Sequence, residues 1–150
     1  QKEMRGIMTE NKILIFLVDD DALFLKSLEI EFSGNTESSI ITFATGELCL
    51  ANLSQNPDVV ILDYHLNSVD VNAVNGLETL DRIKTINPLI PVIMLSSQDK
   101  IEVAVNCMKH QAFDYIVKSE TAFVRLQRAI TTICHYQKIE KALSWYMEKM

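Results

Sequence analysis

The sequence predicts a doubly wound α/β domain with a parallel sheet, followed by an extended C-terminal helix. Two observations lead to this fold class. Short apolar runs of strand length alternate five times with amphipathic stretches of helix length. The apolar runs supply hydrophobic side chains to both faces, as parallel strands do when helices cover the sheet on each side. Five such units in 150 residues indicate a single domain.

The five predicted strands are apolar or β-branched runs that are too short for typical helices. They span Ile13–Val18, 39–44, 58–62, 91–95 and 113–117. In open parallel sheets, ligands bind at the carboxyl ends of the strands, near the switch point in strand order. The functional site is therefore expected where these runs end.

The predicted helices are bounded by capping residues and by proline. Asp21 is placed to cap the first helix, whose apolar residues recur on one face. A short second helix covers 46–53, a third ends before Pro88, and a fourth covers 99–110. The fifth begins near Ser119, which is a favourable N-cap residue.

The composition excludes several functional classes. The formal net charge of −6 argues against direct nucleic-acid binding, which needs clustered Lys and Arg. The three cysteines are far apart, with neither metal-ligand spacing nor a disulfide pattern. No apolar run reaches the roughly 18 residues of a membrane span, and residues 1–12 lack the apolar core of a signal peptide. We therefore expect a cytoplasmic protein without membrane contact, and we expect residues 1–12 to be either a disordered leader or an added stretch foreign to the natural chain.

Charged and hydroxyl side chains follow four of the five predicted strands. In chain order they are Asp19, Asp20, Asp21, Asp63, Ser96 and Lys118. A single Asp after a strand is usually a turn or cap residue, but the predicted fold gathers the whole set into one pocket. Carboxylates forced together repel one another, and a divalent cation resolves that conflict. Carboxylate oxygens without His or Cys suit Mg²⁺, which typically uses one or two carboxylates together with phosphate oxygens.

Lys118 and Ser96 complete a pocket suited to phosphoryl transfer. Lys118 offers a positive charge to a phosphate oxygen, and the hydroxyl of Ser96 can bind another. Catalysis of phosphoryl transfer consists mainly of positioning and charge neutralisation. An Asp carboxylate can act as the nucleophile and form an aspartyl-phosphate.

Four motifs at these positions resemble the receiver domain of two-component response regulators. They are VDDD at 18–21, VVILDYHL at 59–66, VIMLSS at 92–97 and AFDYIVK at 112–118. Their order and spacing match the family from about Ile13 to Thr132. The resemblance implies a flavodoxin-like sheet with strand order 2-1-3-4-5, and a phosphorelay switch rather than an enzyme with its own substrate.

The resemblance also implies a role for each matching residue. Asp63 would accept a phosphoryl group from a sensor histidine kinase or a phosphotransfer protein. Asp20 would coordinate Mg²⁺ together with Asp63 and the backbone carbonyl of His65, and Asp19 would act largely through water. Asp21 matches no ligand position and is expected to cap its helix.

Phosphorylation would act on a second group of residues. Ser96 would bind the phosphoryl group, Tyr115 would rotate inward behind it, and Lys118 would pair with a phosphoryl oxygen. An aspartyl-phosphate adds charge and strong acceptor oxygens. It would thereby bias the surface formed by the fourth helix, the fifth strand and the fifth helix.

The sequence departs from the family at two places. Ser119 stands where the family usually has a proline after a cis bond; because a cis bond before other residues is costly, we expect a trans bond or a strained loop. Asn67 also replaces a usual proline, and Gly76 comes about five residues late. The extra residues at 67–75 are polar and small, and Asp70 among them is expected in solvent rather than at the metal. We hypothesise that this insertion alters kinase access or the dephosphorylation rate.

The fifth helix carries two apolar stripes in different phases. Phe123, Leu126, Ile130 and Ile133 are expected to pack on the sheet, whereas a second stripe begins at Tyr136. The second stripe consists of Tyr136, Ile139, Leu143, Tyr146 and Met150. We therefore divide the chain into a receiver domain at 13–134 and a helical extension at 135–150. The extension is expected to form a homodimer or to link to an output domain, unless it folds back on its own domain.

Two other functions compete with this interpretation. A haloacid-dehalogenase-type phosphatase would use Asp19 as nucleophile with Asp21, Ser96 and Lys118 behind it. However, Leu23 stands where that class needs Thr or Val, and the chain leaves no room for a substrate cap. The other alternative is a pseudo-receiver that works through protein contacts without taking phosphate.

Overall fold

The computed structural model describes residues 12–35, 37–67 and 71–150. Five parallel strands form one sheet with the order β2-β1-β3-β4-β5, which confirms the predicted fold class and strand order. The strands are β1 (Ile13–Val18), β2 (Ser38–Phe43), β3 (Val59–Asp63), β4 (Val92–Ser96) and β5 (Asp114–Val117). Of the predicted leader, only Lys12 lies within the described residues.

Strands β3 and β4 are shifted by one residue from the prediction, so Asp63 and Ser96 are themselves the last residues of their strands. Asp58 lies directly before β3, and its carboxylate accepts a hydrogen bond from the Leu14 backbone N–H at 2.8 Å. The side chain thus holds the start of β3 against β1. Both β3 and β4 are buried along their whole length, as expected for central parallel strands.

Five helices connect and flank the strands within the described residues. They are α1 (Ala22–Ser33), α2 (Gly46–Ala51), α3 (Gly76–Ile86), α4 (Ile101–Lys109) and α5 (Ala122–Lys149). Helix α2 is shorter than predicted, because the chain tightens into a 3-10 turn at Leu53–Gln55. Asp21 caps α1 as predicted, accepting hydrogen bonds from the N–H groups of Leu23 and Phe24.

The start of α5 differs from the prediction. The helix begins two residues later, with Thr121 rather than Ser119 at the N-cap position. Ser119 instead forms a turn, in which its carbonyl accepts the N–H of Ala122 at 3.1 Å and its hydroxyl accepts that of Thr121 at 3.3 Å. No cis peptide bond occurs in the described part of the chain, so the Lys118–Ser119 bond is trans.

Alternating strand residues supply two hydrophobic layers, one on each face of the sheet. In β1, Phe16 and Val18 join the layer that contains Leu80 and Ile83 of α3. The neighbouring Ile15 and Leu17 join the layer that contains residues of α1 and α5. The sheet is therefore covered on both sides, and its carboxyl edge remains open for a site.

Helix α5 extends beyond the core. Leu126, Ile130 and Ile133 are buried as predicted, and Phe123 packs against the same layer. Every residue from Lys138 to Met150 is exposed. The start of the extension still contacts the domain, since the Gln137 side chain donates to the Asp58 carbonyl at 3.5 Å, but the helix beyond it is not covered by the described part of the domain. No helix in the described ranges combines the length and apolar character that crossing a bilayer requires.

Candidate functional site

Three carboxylates meet at the carboxyl edge of the sheet. Asp19 and Asp20 follow β1, and Asp63 ends β3, which is paired directly with β1. One carboxylate oxygen from each residue lies within 4.8 Å of the others. The switch point between β1 and β3 therefore gathers the predicted acidic cluster, as the fold rule requires.

Lys118 reaches this cluster from the end of β5. Its Nζ lies 2.7 Å from Asp19 Oδ2 and 3.3 Å from Asp63 Oδ1. The backbone N–H of Lys118 donates to the Ser96 carbonyl at 2.8 Å, which continues the β4–β5 ladder and fixes the root of the side chain. The trans bond to Ser119 thus does not prevent Lys118 from entering the pocket.

Burial makes this cluster electrostatically costly. Asp19 and Asp63 are only 2% and 3% exposed, respectively. Burial, followed by repulsion from Asp19, raises the pKa of Asp63 to about 7, although Lys118 opposes this shift. Burial would lower the pKa of Lys118, but the adjacent Asp19 and Asp63 carboxylates outweigh that effect and raise the pKa.

Phe24 of α1 and the N-cap residue Asp21 also shape the pocket. Lys118 Nζ lies 4.4 Å from the centroid of the Phe24 ring, a cation–π contact that the sequence did not reveal. Asp21 donates its backbone N–H to Asp19 Oδ1 at 2.9 Å, while its own carboxylate is occupied by the helix cap. The three consecutive aspartates therefore have different positions, and Asp21 is exposed outside the cluster.

Ser96 and Tyr115 are connected through Gln98. Ser96 is fully buried at the end of β4, and its Oγ accepts the Gln98 backbone N–H at 3.0 Å. The hydroxyl of the half-buried Tyr115 donates to the Gln98 carbonyl. The sequence did not identify Gln98, and its position two residues after Ser96 is the only signal that was available.

Gly76, which follows the insertion, lies beside the pocket. The backbone N–H of Gly76 donates to the Tyr64 carbonyl at 3.1 Å. A Cβ atom on Gly76 would lie 2.2 Å from the Asp63 carbonyl oxygen, so glycine is required by this close approach. Gly76 therefore lies directly against the backbone of Asp63 and Tyr64. Asp70 lies outside the described residues. His65 is half-buried, and its ring packs edge-on against that of Tyr64.

The pocket has the charge and the donor atoms that a hard divalent cation requires. Three carboxylates and the ammonium group of Lys118 meet here, so acidic groups predominate among the clustered side chains. Both oxygens of the buried Asp19 carboxylate have a donor: Oδ2 lies 2.7 Å from the Lys118 ammonium group, and Oδ1 accepts the Asp21 backbone N–H. All three clustered side chains offer oxygen, which suits Mg²⁺ better than the softer transition metals.

The chain belongs to the response regulator receiver domain family, whose sequence profile matches residues 15–131. It is 33% identical over 129 residues to the DNA-binding transcriptional regulator NtrC of Salmonella typhimurium. That match covers 83% of this chain but only 26% of the relative, so the chain spans about a quarter of that protein.

Solved receiver structures share the fold. The structure of NtrX from Brucella abortus superposes with a TM-score of 0.75 at 26% identity, covering 87% of this chain and 29% of the other. The beryllofluoride-activated receiver domain of DrrB superposes with a TM-score of 0.67 at 28% identity, covering 80% of this chain and 98% of that domain. These similarities confirm the predicted family and give no support to the hydrolase alternative.

Proposed function

We propose that Asp63 accepts a phosphoryl group from a phospho-histidine of a sensor kinase or phosphotransfer protein. One observation carries this proposal: Asp63 lies at the edge of the sheet with two further carboxylates and an ammonium group within contact distance. In the transfer, a carboxylate oxygen of Asp63 forms a bond to phosphorus while the phosphorus–nitrogen bond to histidine breaks. The departing imidazole then takes a proton from solvent.

Asp19, Asp20, Asp63 and the backbone carbonyl of His65 are the proposed ligands of Mg²⁺. When bound, the ion supplies positive charge that offsets repulsion between Asp63 and the incoming phosphoryl oxygens. Asp19 supports this arrangement because it is only 2% exposed and its carboxylate lies beside those of Asp20 and Asp63. Asp20 is half-buried beside it, and its oxygen is part of the same cluster.

Lys118 is proposed to pair with a phosphoryl oxygen once Asp63 is phosphorylated. Its ammonium group already lies 3.3 Å from Asp63 Oδ1, and the Phe24 ring limits its freedom. The protein then acts as a switch whose own phosphorylation and dephosphorylation are the only reactions that it promotes.

The contacts of Gln98 suggest how the phosphoryl group is sensed. If the hydroxyl of Ser96 turns to a phosphoryl oxygen, the Gln98 N–H loses its acceptor. The Gln98 carbonyl holds the Tyr115 hydroxyl, so a shift of this residue also releases Tyr115. We propose that this linked change alters the surface of α4, β5 and α5, which partners would read.

The remaining parts of the proposal concern the whole protein. We assign residues 13–134 to the receiver domain and 135–150 to a helical extension that either forms a homodimer or links to an output domain. The NtrC relative is named as a DNA-binding regulator; this acidic chain itself is proposed to bind a protein rather than nucleic acid. The proposed setting is cytoplasmic, where a kinase can supply phosphate.

The inserted segment at 67–75 is proposed to tune kinase access or the rate of dephosphorylation. Gly76, the residue directly after it, donates its N–H to the Tyr64 carbonyl, and the Val74 N–H donates to Glu47 Oε2 of α2 at 3.4 Å. Its removal should therefore leave Asp63 in place. Deleting the extra residues while keeping Gly76 should change at least one of the two rates; if neither rate changes, this proposal is wrong.

Mass spectrometry after treatment with acetyl phosphate and Mg²⁺ tests the function. The wild type should gain one phosphoryl group on the peptide that contains Asp63, and Asp63→Asn should gain none. The matched control is Asp21→Asn, an adjacent carboxylate outside the cluster, which should retain labelling. Labelling on Asp19 would indicate the phosphatase alternative, and an unlabelled wild type that also ignores beryllofluoride would indicate a pseudo-receiver.

A further inference from the structure

The aromatic ring of Phe24 lies against the ammonium group that faces the acidic cluster. The Nζ atom of Lys118 is 4.4 Å from the ring centroid, within the roughly 6 Å at which the face of an aromatic ring attracts a cation. A second such contact in the described part of the chain joins Lys149 to Trp145 at 5.8 Å, on the exposed end of α5. The contact at Phe24 is therefore the shorter of the two, and it lies at the site.

The connection between β1 and α1 fixes the backbone of Phe24. Asp21, the N-cap of α1, accepts the Phe24 backbone N–H at 3.2 Å, and its own N–H donates to Asp19 Oδ1 at 2.9 Å. The Phe24 side chain is half-buried and packs against the hydrophobic layer between the sheet and helices α1 and α5. The ring is thus connected through backbone hydrogen bonds to the same cluster that Lys118 enters.

Lys118 depends on side-chain contacts for its position. Its side chain is a flexible four-carbon stem, and the β4–β5 ladder holds only its backbone. Nζ lies 2.7 Å from Asp19 Oδ2 and 3.3 Å from Asp63 Oδ1. The longer contact is the one that phosphorylation of Asp63 would change, so the carboxylates alone do not fix the ammonium group throughout the reaction.

An aromatic ring holds a cation differently from a carboxylate. The negative face of the ring attracts the ammonium group, and this attraction is stronger where water is partly excluded. The side chain of Lys118 is only 17% exposed, so the contact lies in such surroundings. The ring offers no oxygen that would compete with a phosphoryl group for the donor hydrogens of Lys118. Phe24 can therefore limit the movement of the ammonium group without neutralising its charge.

We propose that Phe24 is a positioning residue for phosphoryl transfer, which keeps the Lys118 ammonium group where an incoming phosphoryl oxygen requires it. This inference rests on the proposed function of Asp63, and it concerns a residue that acts through Lys118 rather than on the phosphoryl group itself. Without the ring, the stem of Lys118 samples other rotamers and the ammonium group spends less time at the site. Phosphorylation then slows although every charged group of the pocket is present.

Three substitutions separate this role from that of an ordinary core residue. Phe24→Leu keeps an apolar side chain on the hydrophobic layer but removes the aromatic face, whereas Phe24→Tyr keeps both. Phe32→Leu is the matched control, because Phe32 belongs to the same helix and the same hydrophobic layer. It is only 2% exposed, and its ring lies 5.0 Å from that of Phe123 rather than beside a charged group. If packing alone matters, Phe32→Leu should have the larger effect.

The rate of phosphorylation by acetyl phosphate in saturating Mg²⁺ is the first measurement. Phe24→Leu should react about tenfold more slowly than the wild type, which matches the strength of a partly desolvated cation–π contact. Phe24→Tyr should restore the rate to within about twofold. Phe32→Leu should react at the wild-type rate while unfolding at a lower urea concentration. The Mg²⁺ affinity of Phe24→Leu should be unchanged, because the three carboxylates remain in place.

Fluorinated phenylalanines at position 24 test the electrostatic part of the proposal. Fluorine withdraws electron density from the face of the ring and leaves the shape of the side chain nearly the same. The rate should fall stepwise as fluorine atoms are added, because the cation is attracted less strongly. In a Lys118→Met background, which keeps the stem without the charge, Phe24→Leu should cause no further loss of rate.

Several results would overturn this inference while the proposed function stands. The first is labelling of Asp63 at the same rate in the wild type and in Phe24→Leu. The others are a Phe24→Tyr variant as slow as Phe24→Leu, equal rates across the fluorinated series, a further loss of rate in the Lys118→Met background, and a tenfold loss of Mg²⁺ affinity in Phe24→Leu. A wild type that is not labelled at all would overturn the proposed function and this inference together.

Discussion

At the carboxyl edge of the sheet, charged side chains are buried, whereas along the second half of α5 large apolar side chains are exposed. Asp19 and Asp63 are nearly inaccessible, while Leu143 and Tyr146 are more than half exposed. Both regions depart from the usual distribution of polar and apolar groups. The first arrangement fits a charged ligand and the second fits a protein partner. In each region, the groups that the domain itself leaves uncompensated indicate the chemistry of the binding partner.

The two halves of α5 give the largest expected difference. Leu126→Ala removes a fully buried side chain and should lower the free energy of unfolding by about 2–5 kcal/mol. Leu143→Ala, measured at a concentration where the chain is monomeric, should change it by less than about 0.5 kcal/mol. Urea denaturation of both variants compares them directly. A large loss from Leu143→Ala in the monomer would show that the extension packs on its own domain.

Gly76→Ala probes the joint between the insertion and the pocket. The added methyl group overlaps the Asp63 carbonyl oxygen, so the variant should lose about 1–3 kcal/mol of stability and should be phosphorylated more slowly. Gly34→Ala is the control, since a Cβ there would approach its nearest neighbour only to 4.0 Å. Equal effects from the two substitutions would contradict the importance of this close approach.

Removing the charge of Asp63 should stabilise the metal-free protein. The pKa of Asp63 is raised from 3.8 to about 7, so the folded state holds this proton more tightly than the unfolded state. Its contribution to stability is therefore complete below pH 4 and is lost as the pH rises towards 7. At pH 8, Asp63→Asn should be more stable than the wild type by about 1–3 kcal/mol in EDTA.

Urea denaturation at several pH values checks this sign. The difference in free energy of unfolding between wild type and Asp63→Asn should increase from pH 4 to pH 7. Mg²⁺ should reduce this difference by stabilising the wild type. If the free energy of unfolding depends on pH in the same way for both proteins, the pKa of Asp63 is not raised by folding.

The smallest expected effect comes from the third aspartate of the run. Asp21→Ala removes the side-chain cap of α1 and should lower the free energy of unfolding by about 1 kcal/mol. Because Asp21 lies outside the cluster, the Mg²⁺ affinity should change less than twofold. A tenfold loss of affinity would move Asp21 into the metal site and contradict its role as a cap.

The sequence was sufficient for the strands and for the acidic cluster, because both depend on local patterns. Apolar runs of strand length predict β1 to β5, and the rule that ligands bind at strand ends then selects Asp19, Asp20, Asp21 and Asp63, from which the family resemblance excluded Asp21 as a ligand. The two stripes of α5 were also visible as a change of phase. These features need only the order of residues along the chain.

The remaining details depend on contacts between distant segments. Ser119 has a good N-cap side chain, but the turn after β5 delays α5 until Ala122. Phe24 and Gln98 were missed because their roles come from contacts with Lys118 and Tyr115. The late position of Gly76 in the sequence was read as a departure from the family. In the structure, its N–H donates to the Tyr64 carbonyl, which places it beside the pocket.

The central claim is that folding creates a site for a divalent cation from Asp19, Asp20 and Asp63. Isothermal titration of the metal-free protein with Mg²⁺ tests it most directly. Saturable binding of one ion per chain, greatly weakened by Asp20→Asn and unchanged by Asp21→Asn, is the predicted result. Absence of Mg²⁺ binding by the folded wild type would contradict the account.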